Sequence, residues 1–280
     1  MPVCSLDVAS STWRLLTTGF RDGVANMAID EAILLSVSAG TSLPTLRFYG
    51  WKPPCVSVGY AQSLRGEVDL DACRALGYTW VRRPTGGRAV LHIDELTYSV
   101  AAPQADPRVA GDILTSYRRL SLGLVSGLRL LGCDATQAAR QHNRDAVAES
   151  AACFDVPAPY EVTALGRKLV GSAQARRRGV VLQHGSLPLT GDVARLADVL
   201  SLPAHGRQEL REKLCRRAIV LDEALGRAVS WEEAAAALAE GFVEALNLRL
   251  EPGGLSAGEQ AEADRLQALH AGDEWMLGSS

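Results

Sequence analysis

The chain has 280 residues, is 47% hydrophobic and carries a formal net charge of −3. It can therefore bury a substantial core, and it lacks the basic excess that is typical of a general nucleic-acid binder. Its longest apolar runs fall well short of the roughly 20 residues that cross a bilayer, and its first residues show no secretory signal pattern. We expect a single cytoplasmic domain over 1–280, helix-rich from about residue 190, that binds neither nucleic acid nor membrane.

The predicted elements begin with an amphipathic helix over 23–38, in which Asp30 and Glu31 fall near the polar side. Short β-rich runs and one helical segment follow, at 45–49, 55–58, about 68–76 (helical), 78–82, 88–91 and 96–101. Because only four residues separate the last two runs, we expect them to form a hairpin.

A long helix is predicted over 111–131, ending near Gly132. Three β-like runs come next, at about 160–164, 168–174 and 180–187, and they suggest neighbouring antiparallel strands. After Pro188, helical segments dominate, at 192–200, 208–216, 230–245 and 256–270. Ser230 followed by Glu233 fits a capping box. Without a regular βαβ alternation, we expect an α+β fold with a mixed, mostly antiparallel sheet flanked by helices.

The 6 cysteines are scattered, and no pair has the spacing of a zinc site, so we expect no metal. In a reducing compartment most of them should be small buried hydrophobic residues, and one is a candidate nucleophile. Composition alone leaves open which one.

The densest chemical signal is a glycine-containing turn between two predicted strands, Arg82 to His92. Paired glycines let backbone N–H groups approach a ligand, and arginines bind anionic or carbonyl-bearing groups. The pattern predicts a ligand-binding turn. An ordinary hairpin turn with solvated arginines fits it equally well, and a lone His92 is more often structural.

Two further segments pair a cysteine with a lysine. Attack on a thioester needs a thiolate, which a nearby cation stabilises. Cys153 lies a short loop and one strand before Lys168. Because side chains alternate along a strand, Lys168 is expected to share one face with Val170 and Ser172. An exposed strand lysine and a buried, inert cysteine are the alternatives.

These segments, in this order, resemble the lipoate-protein ligase A and octanoyltransferase family, which is related to the biotin protein ligases. The resemblance covers most of the chain, in the motifs 26–32, 46–51, 58–62, 82–92, 168–174 and 182–187. The cysteine in Ala152-Cys153-Phe154-Asp155 is similar to that of the LipM-type octanoyltransferases. One departure is Ile93 directly after His92, where that subgroup usually has an aspartate; Asp94 follows one place later.

The resemblance implies a biotin/lipoate protein ligase-like catalytic domain that takes an octanoyl group from octanoyl-acyl carrier protein as a thioester on Cys153. It implies transfer to a lysine of a lipoyl-domain protein such as the glycine-cleavage H protein, assistance by Lys168, and no nucleotide or other cofactor. The implied substrate-binding residues are Arg82, Arg83, Thr85, Gly86, Gly87, Arg88, His92, Gly171, Ser172, Gln174 and His184.

Three alternatives stay open: an ATP-dependent lipoate-protein ligase, an amidotransferase that moves lipoyl or octanoyl groups between lipoyl domains, and a non-catalytic binder. Acyl carrier protein is acidic as a class, so arginines are candidates for docking it, namely Arg82, Arg83, Arg176, Arg177 and Arg178. A solvated hairpin tip is the alternative for the last three.

Overall fold

The computed structural model describes residues 6–138 and 161–277, and it combines one large sheet with helices on both faces. The strands are β1 (Ser11–Arg21), β2 (Thr45–Trp51), β3 (Cys55–Val58), β4 (Thr79–Arg82), β5 (Val90–His92), β6 (Glu95–Pro103), β7 (Ala135–Gln137), β8 (Val162–Ala164), β9 (Arg167–Arg177), β10 (Val180–Pro188) and β11 (Leu248–Gly253). The helices are α1 (Gly23–Ser38), α2 (Leu64–Glu67), α3 (Leu70–Ala75), α4 (Ile113–Leu130), α5 (Ala204–Arg217), α6 (Leu221–Leu225), α7 (Trp231–Leu246), α8 (Ala257–His270) and α9 (Asp273–Leu277), with a 3-10 helix at Val193–Val199.

Within the described residues, the large sheet has the strand order β11-β1-β2-β6-β10-β9-β8-β7. β1 pairs in parallel with β11 and β2, and the remaining neighbours pair antiparallel. The predicted α+β class with a mixed, mostly antiparallel sheet is therefore confirmed. Since β11 follows α7, the helix-rich C-terminal part contributes a strand to the sheet; this supports the single-domain organisation, which stays a prediction.

A smaller sheet of β4, β3 and β5 stands beside the large one. β5 pairs antiparallel with β3, whereas β6 lies between β2 and β10. The predicted hairpin between these two runs is wrong, because both edges of β6 are already paired and none is left for β5.

The large sheet separates two helical layers. α1 packs between one face of the sheet and α8, and α4 packs with α7 on the other face. α1 begins at Asp22, whose carboxylate accepts the Ala25 N–H at 2.8 Å. The predicted polar side of α1 is wrong for Asp30, which is 1% exposed because it faces charged and polar side chains of the sheet. The face of the sheet that α1 covers therefore carries buried polar groups, as a functional site would.

The described helices that end the chain confirm the predicted segments, with one change in capping. Ser230 accepts the Glu233 N–H, but the Glu233 carboxylate accepts from Arg227. The reciprocal capping box is complete at Ser256 and Glu259, which begin α8. None of the described helices is long and apolar enough to cross a membrane.

Candidate active site

A cavity lies between α1, the large sheet and the small sheet. The walls combine apolar and aromatic surface with a few polar groups, and the lining residues are Met27, Tyr49, Trp51, Ser57, Arg83, Val90, His92, Thr97, Gly171, Ser172, Ala173, His184, Gly185 and Ser186. Five of the predicted substrate-binding residues are thus brought together here: Arg83, His92, Gly171, Ser172 and His184.

His184 connects the cavity to a buried carboxylate. Its Nε2 lies 2.6 Å from the Thr85 Oγ1, and its Nδ1 lies 3.2 Å from the Asp30 Oδ2. Because the ionised carboxylate only accepts, Nδ1 carries the proton and Nε2 accepts from the Thr85 hydroxyl. Thr85 is fully buried, so this chain holds the start of the Gly86-Gly87 turn against β10.

Asp30 is the centre of this network. Its carboxylate also accepts from Arg47 at 2.6 Å, Ser99 at 2.8 Å and Tyr49 at 2.9 Å. Burial alone would raise the pKa of Asp30, but the Arg47 cation and the hydrogen bonds from His184 and Ser99 lower it to about 2. The carboxylate is therefore ionised throughout the neutral range.

Asp30 is a site residue that the sequence motifs did not indicate. A signal was present, because Asn26 and Asp30 are four residues apart on a helix whose neighbouring positions Met27 and Ile29 are apolar and buried. A second signal was Arg47, a charged residue in the mostly apolar strand β2, which pairs with Asp30 and Asn26.

His92 forms another part of the wall and is held neutral. Its ring stacks on Trp51 with centroids 4.0 Å apart, and its Nε2 lies 2.8 Å from the Ser57 Oγ. Burial lowers the pKa of His92, although the nearby Glu95 opposes this. Its Nδ1 faces the Glu95 Oε2 at 3.7 Å, beyond hydrogen-bond distance. The ring is therefore held between Trp51, Ser57 and Glu95.

The departure that follows His92 lies outside the cavity lining. Asp94 adopts a positive φ of 51° and its carboxylate pairs with Arg195 at 2.9 Å. Ile93 likewise does not line the cavity. The absence of an aspartate at position 93 therefore leaves the cavity wall unchanged.

Arg82 and Arg83 are adjacent but differ in their surroundings. Arg83 lines the cavity and donates to the carbonyls of Ser57 at 2.9 Å and Arg88 at 2.6 Å. Arg82 donates to carbonyls outside the cavity, those of Gly59, Tyr60, Gln62, Trp275 and Met276. This geometry favours a structural role for Arg82, whose predicted contact with substrate stays a prediction.

The glycines of the turn are needed for close approach. Gly87 has φ +91°, and its carbonyl passes so near Gly59 that a Cβ there would lie 2.2 Å from the oxygen. Gly86, Gly87 and the half-buried Arg88 lie at the protein surface above the cavity. These three predicted residues therefore lie at the surface by the cavity without lining it.

Lys168 is 7% exposed, and its Nζ lies 2.5 Å from the Glu161 Oε1. The prediction that Lys168 shares a face with Val170 and Ser172 is wrong. A bulge opposes Val170 to Val162 and Lys168 to Thr163, and both Leu169 and Val170 enter the core. Because the bulge puts Leu169 and Val170 on the same face, the Lys168 side chain points to the other face of β9, away from the core.

Gln174 does not line the cavity, and its predicted role in substrate binding stays a prediction. Ala173 lines the cavity, so the next side chain points to the opposite face of β9. There the Gln174 amide donates to Ser116 of α4 at 3.0 Å and to Gln183 at 2.9 Å. The residue ties α4 to the sheet.

The described cysteines differ in their capacity to react. Burial raises the pKa of Cys55 to about 12 and that of Cys73 to about 11, and it also raises the pKa of Cys133. Cys215 is exposed on α5. Cys153, the predicted nucleophile, lies outside the described residues. Three of the four described cysteines therefore stay protonated near neutral pH and are poor nucleophiles.

The described residues contain no group of three His, Cys, Asp or Glu side chains that could hold a metal ion. The cavity wall instead offers a neutral imidazole, hydroxyls and backbone groups around apolar surface. Such a lining can orient a thioester or acyl carbonyl while an alkyl chain lies against Met27, Trp51 and Val90.

Residues 22–243 match the family model of the lipoyl protein ligase A/B catalytic domain. The octanoyltransferase LipM of Kyrpidia tusciae is 51% identical over 94% of this chain and 98% of its own length. A bi-partite lipoate protein ligase of Thermoplasma acidophilum has a TM-score of 0.80 at 29% identity and covers 95% of this chain and 96% of its own. A lipoate-protein ligase A bound with ATP has a TM-score of 0.76 at 29% identity, over 95% and 98%. The chain belongs to the lipoyl protein ligase A/B catalytic domain family.

Proposed function

We propose that this protein takes an octanoyl group from acyl carrier protein as a thioester on Cys153. It passes the group to a lysine of a lipoyl-domain protein, with the glycine-cleavage H protein as the expected acceptor, and it uses no nucleotide. The underlying activity, octanoyl transfer in lipoate biosynthesis, is confirmed by curated relatives named octanoyltransferase that are 37–51% identical over about 95% of the chain.

In the first half-reaction the Cys153 thiolate attacks the carbonyl carbon of the donor thioester. The bond to the carrier's sulfur breaks, and the carrier leaves as a thiolate that takes up a proton. In the second half-reaction the lysine ε-amine attacks the enzyme thioester, the amine loses a proton, and the Cys153 sulfur leaves. The carrier thioester is thus exchanged for the Cys153 thioester and then for an amide. No nucleotide is needed, because the acyl group arrives already activated as a thioester.

The observation that carries the proposal is the buried amine of Lys168, held by Glu161 on the strand that continues into the cavity. A cation there lowers the cost of forming the Cys153 thiolate and can then give its proton to the departing carrier thiolate. The neutral amine that remains can accept a proton from the incoming lysine. Gly171 lies three residues further along β9, about 10 Å away at the rise of a strand. Lys168 thereby adjoins the cavity without lining it.

The cavity supplies the selection for a medium acyl chain. Each buried methylene contributes about 0.8 kcal/mol, so a chain shorter by one methylene should bind about fourfold more weakly. Backbone N–H groups of Gly86, Gly87 or Cys153 are the candidates for binding the oxyanion.

A lipoyl domain as the acceptor is supported by the Thermoplasma acidophilum relative, which is described together with its E2 lipoyl domain. The acyl carrier protein as donor is supported by the similarity to octanoyltransferases. The cytoplasmic location stays a prediction.

The test is incubation of the purified protein with octanoyl-acyl carrier protein and no nucleotide, followed by intact-mass measurement. We expect an octanoyl adduct on the wild-type protein and on Cys215→Ala, which removes an exposed thiol, and none on Cys153→Ala. Full transfer by Cys153→Ala would rule out the thioester. A requirement for ATP with free lipoate would indicate a ligase, and preference for octanoylated H protein as donor would indicate an amidotransferase.

A further inference from the structure

One face of β9 leads from the cavity to the protein surface. Beyond the bulge, Gly171 and Ala173 line the cavity, whereas Gln174 and Arg176 bond to Ser116 of α4 on the opposite face. Alternation then continues the cavity face through Ala175 to Arg177. The four residue steps from Ala173 to Arg177 span about 13 Å.

The exposed glycine turn lies beside the inner end of this face. A Cβ on Gly87 would contact the Ala173 Cβ at 3.7 Å, and the Tyr60 N–H donates to the Thr85 carbonyl at 2.9 Å. Tyr60 therefore lies next to the turn, and it is 53% exposed. The cavity, the turn and Tyr60 form a continuous surface.

Arg177, at the outer end of the β9 face, reaches the ring of Tyr60 with its side chain. The Arg177 guanidinium carbon lies 4.9 Å from the centroid of the Tyr60 ring. A stacked guanidinium keeps N–H donors in its plane, and these suit an anion with several oxygens. In the described part of the chain, no carboxylate forms an ion pair with Arg177.

We propose that the face of β9 from Ala173 to Arg177, bordered by Tyr60, binds the phosphopantetheine arm of the acyl donor, with Arg177 pairing with the arm's phosphodiester. This inference rests on the proposed carrier-protein donor. An extended arm with its phosphate at Arg177 and its thioester end at Ala173 would place the octanoyl chain in the cavity.

The other predicted docking arginines do not fit this role. Arg82 and Arg83 are 2% and 4% exposed and donate to backbone carbonyls. Arg176 donates to the carbonyls of Gly111 and Asp112, just before α4. Arg178 is exposed in the turn after β9, outside the alternation of the strand, which makes it a matched control for Arg177.

The test measures binding by calorimetry with two analogues in which nitrogen replaces the thioester sulfur, so that no acyl group is transferred. One analogue is octanoyl-phosphopantetheine and the other is octanoyl-pantetheine, which lacks the phosphate. We expect the wild-type protein to bind the phosphorylated analogue about tenfold more tightly, a typical effect of one charged hydrogen-bonded contact. Arg177→Gln should abolish this preference, and Arg178→Gln should keep it.

Tyr60 provides a second variant. Tyr60→Phe retains the ring and should keep the phosphate preference, whereas Tyr60→Leu removes the stacking surface and should reduce it. Equal affinity of the wild-type protein for both analogues, or an equal loss with Arg177→Gln for both, would overturn the inference. The proposed function is judged separately by adduct formation from octanoyl-acyl carrier protein, which these binding measurements do not require.

Discussion

Two buried charges adjoin the cavity, and their surroundings differ. The Asp30 carboxylate on α1 is bonded by side chains of β2, β6 and β10, so four separate elements meet at one group. The Lys168 amine pairs with Glu161, seven residues earlier in the same β8–β9 region. The first arrangement cannot change without moving the sheet, whereas the second can exchange partners locally. We therefore expect Asp30 to position the cavity wall, and the chemical step stays the proposed role of Lys168.

The largest expected effect comes from Lys168. Lys168→Met should slow adduct formation about 100- to 10,000-fold, the usual contribution of an acid–base group. The pH midpoint of Cys153 alkylation by iodoacetamide should also rise toward about 8.5, because the cation that stabilises the thiolate is lost.

The matched control is Arg167→Met, which removes the neighbouring cation that pairs with Glu223 at the surface. Adduct formation by this variant should stay within about threefold of the wild-type rate, since exposed pairs contribute little. An unchanged alkylation midpoint in Lys168→Met would contradict the role of Lys168.

The Asp30 network should instead determine stability. Asp30→Ala leaves the fully buried Arg47 without its carboxylate and should lower the free energy of unfolding by about 3 to 5 kcal/mol. Urea denaturation measures the loss. Adding Arg47→Met should restore part of it, because the unpaired cation is removed.

Asp94→Asn serves as the comparison, since Asp94 forms a partly exposed ion pair with Arg195 and asparagine tolerates its positive φ. Its cost should stay below about 1 kcal/mol. If Asp30→Ala costs no more than this, the Asp30 network is not the rigid part of the site.

The smallest of the three effects is the acid dependence of stability. The pKa of Asp30 is lowered from 3.8 to about 2 in the folded protein, so the folded state binds fewer protons than the unfolded state between these values. Its contribution, about 2 kcal/mol, is present above pH 4 and is lost as the pH falls toward 2. Urea denaturation between pH 5 and 2 should show a shallower decline for Asp30→Asn, and an identical decline would contradict the lowered pKa.

Sequence periodicity predicted helix α4 but not strand β1. α4 repeats its apolar residues every three or four positions, and the structure confirms it with a similar end. β1 escaped prediction because only Trp13 and Leu16 are buried within it, three residues apart, which hides the period of two that marks a strand. Periodicity therefore identified the amphipathic helix and missed a strand that is only partly covered on both faces.

Site residues divide in the same way. The motifs 82–92 and 182–187 indicated a ligand site, and the structure brings Arg83, His92 and His184 to one cavity. Gln174 belongs to the motif 168–174, as the cavity-lining Gly171 and Ser172 do, but it points to the other face. Its direction depends on the strand's orientation in the sheet, which the sequence does not specify.

The sequence by itself determined the α+β class, the family and the segments that carry the chemistry, because these depend on local residue order. Only the tertiary structure decided that Asp30 organises the cavity wall, that Arg82 bonds carbonyls while Arg83 lines the cavity, and that the bulge turns Lys168 away from the core. Each of these depends on contacts between elements far apart in the chain or on a one-residue change in strand register. Such contacts and shifts leave no periodic trace in the sequence.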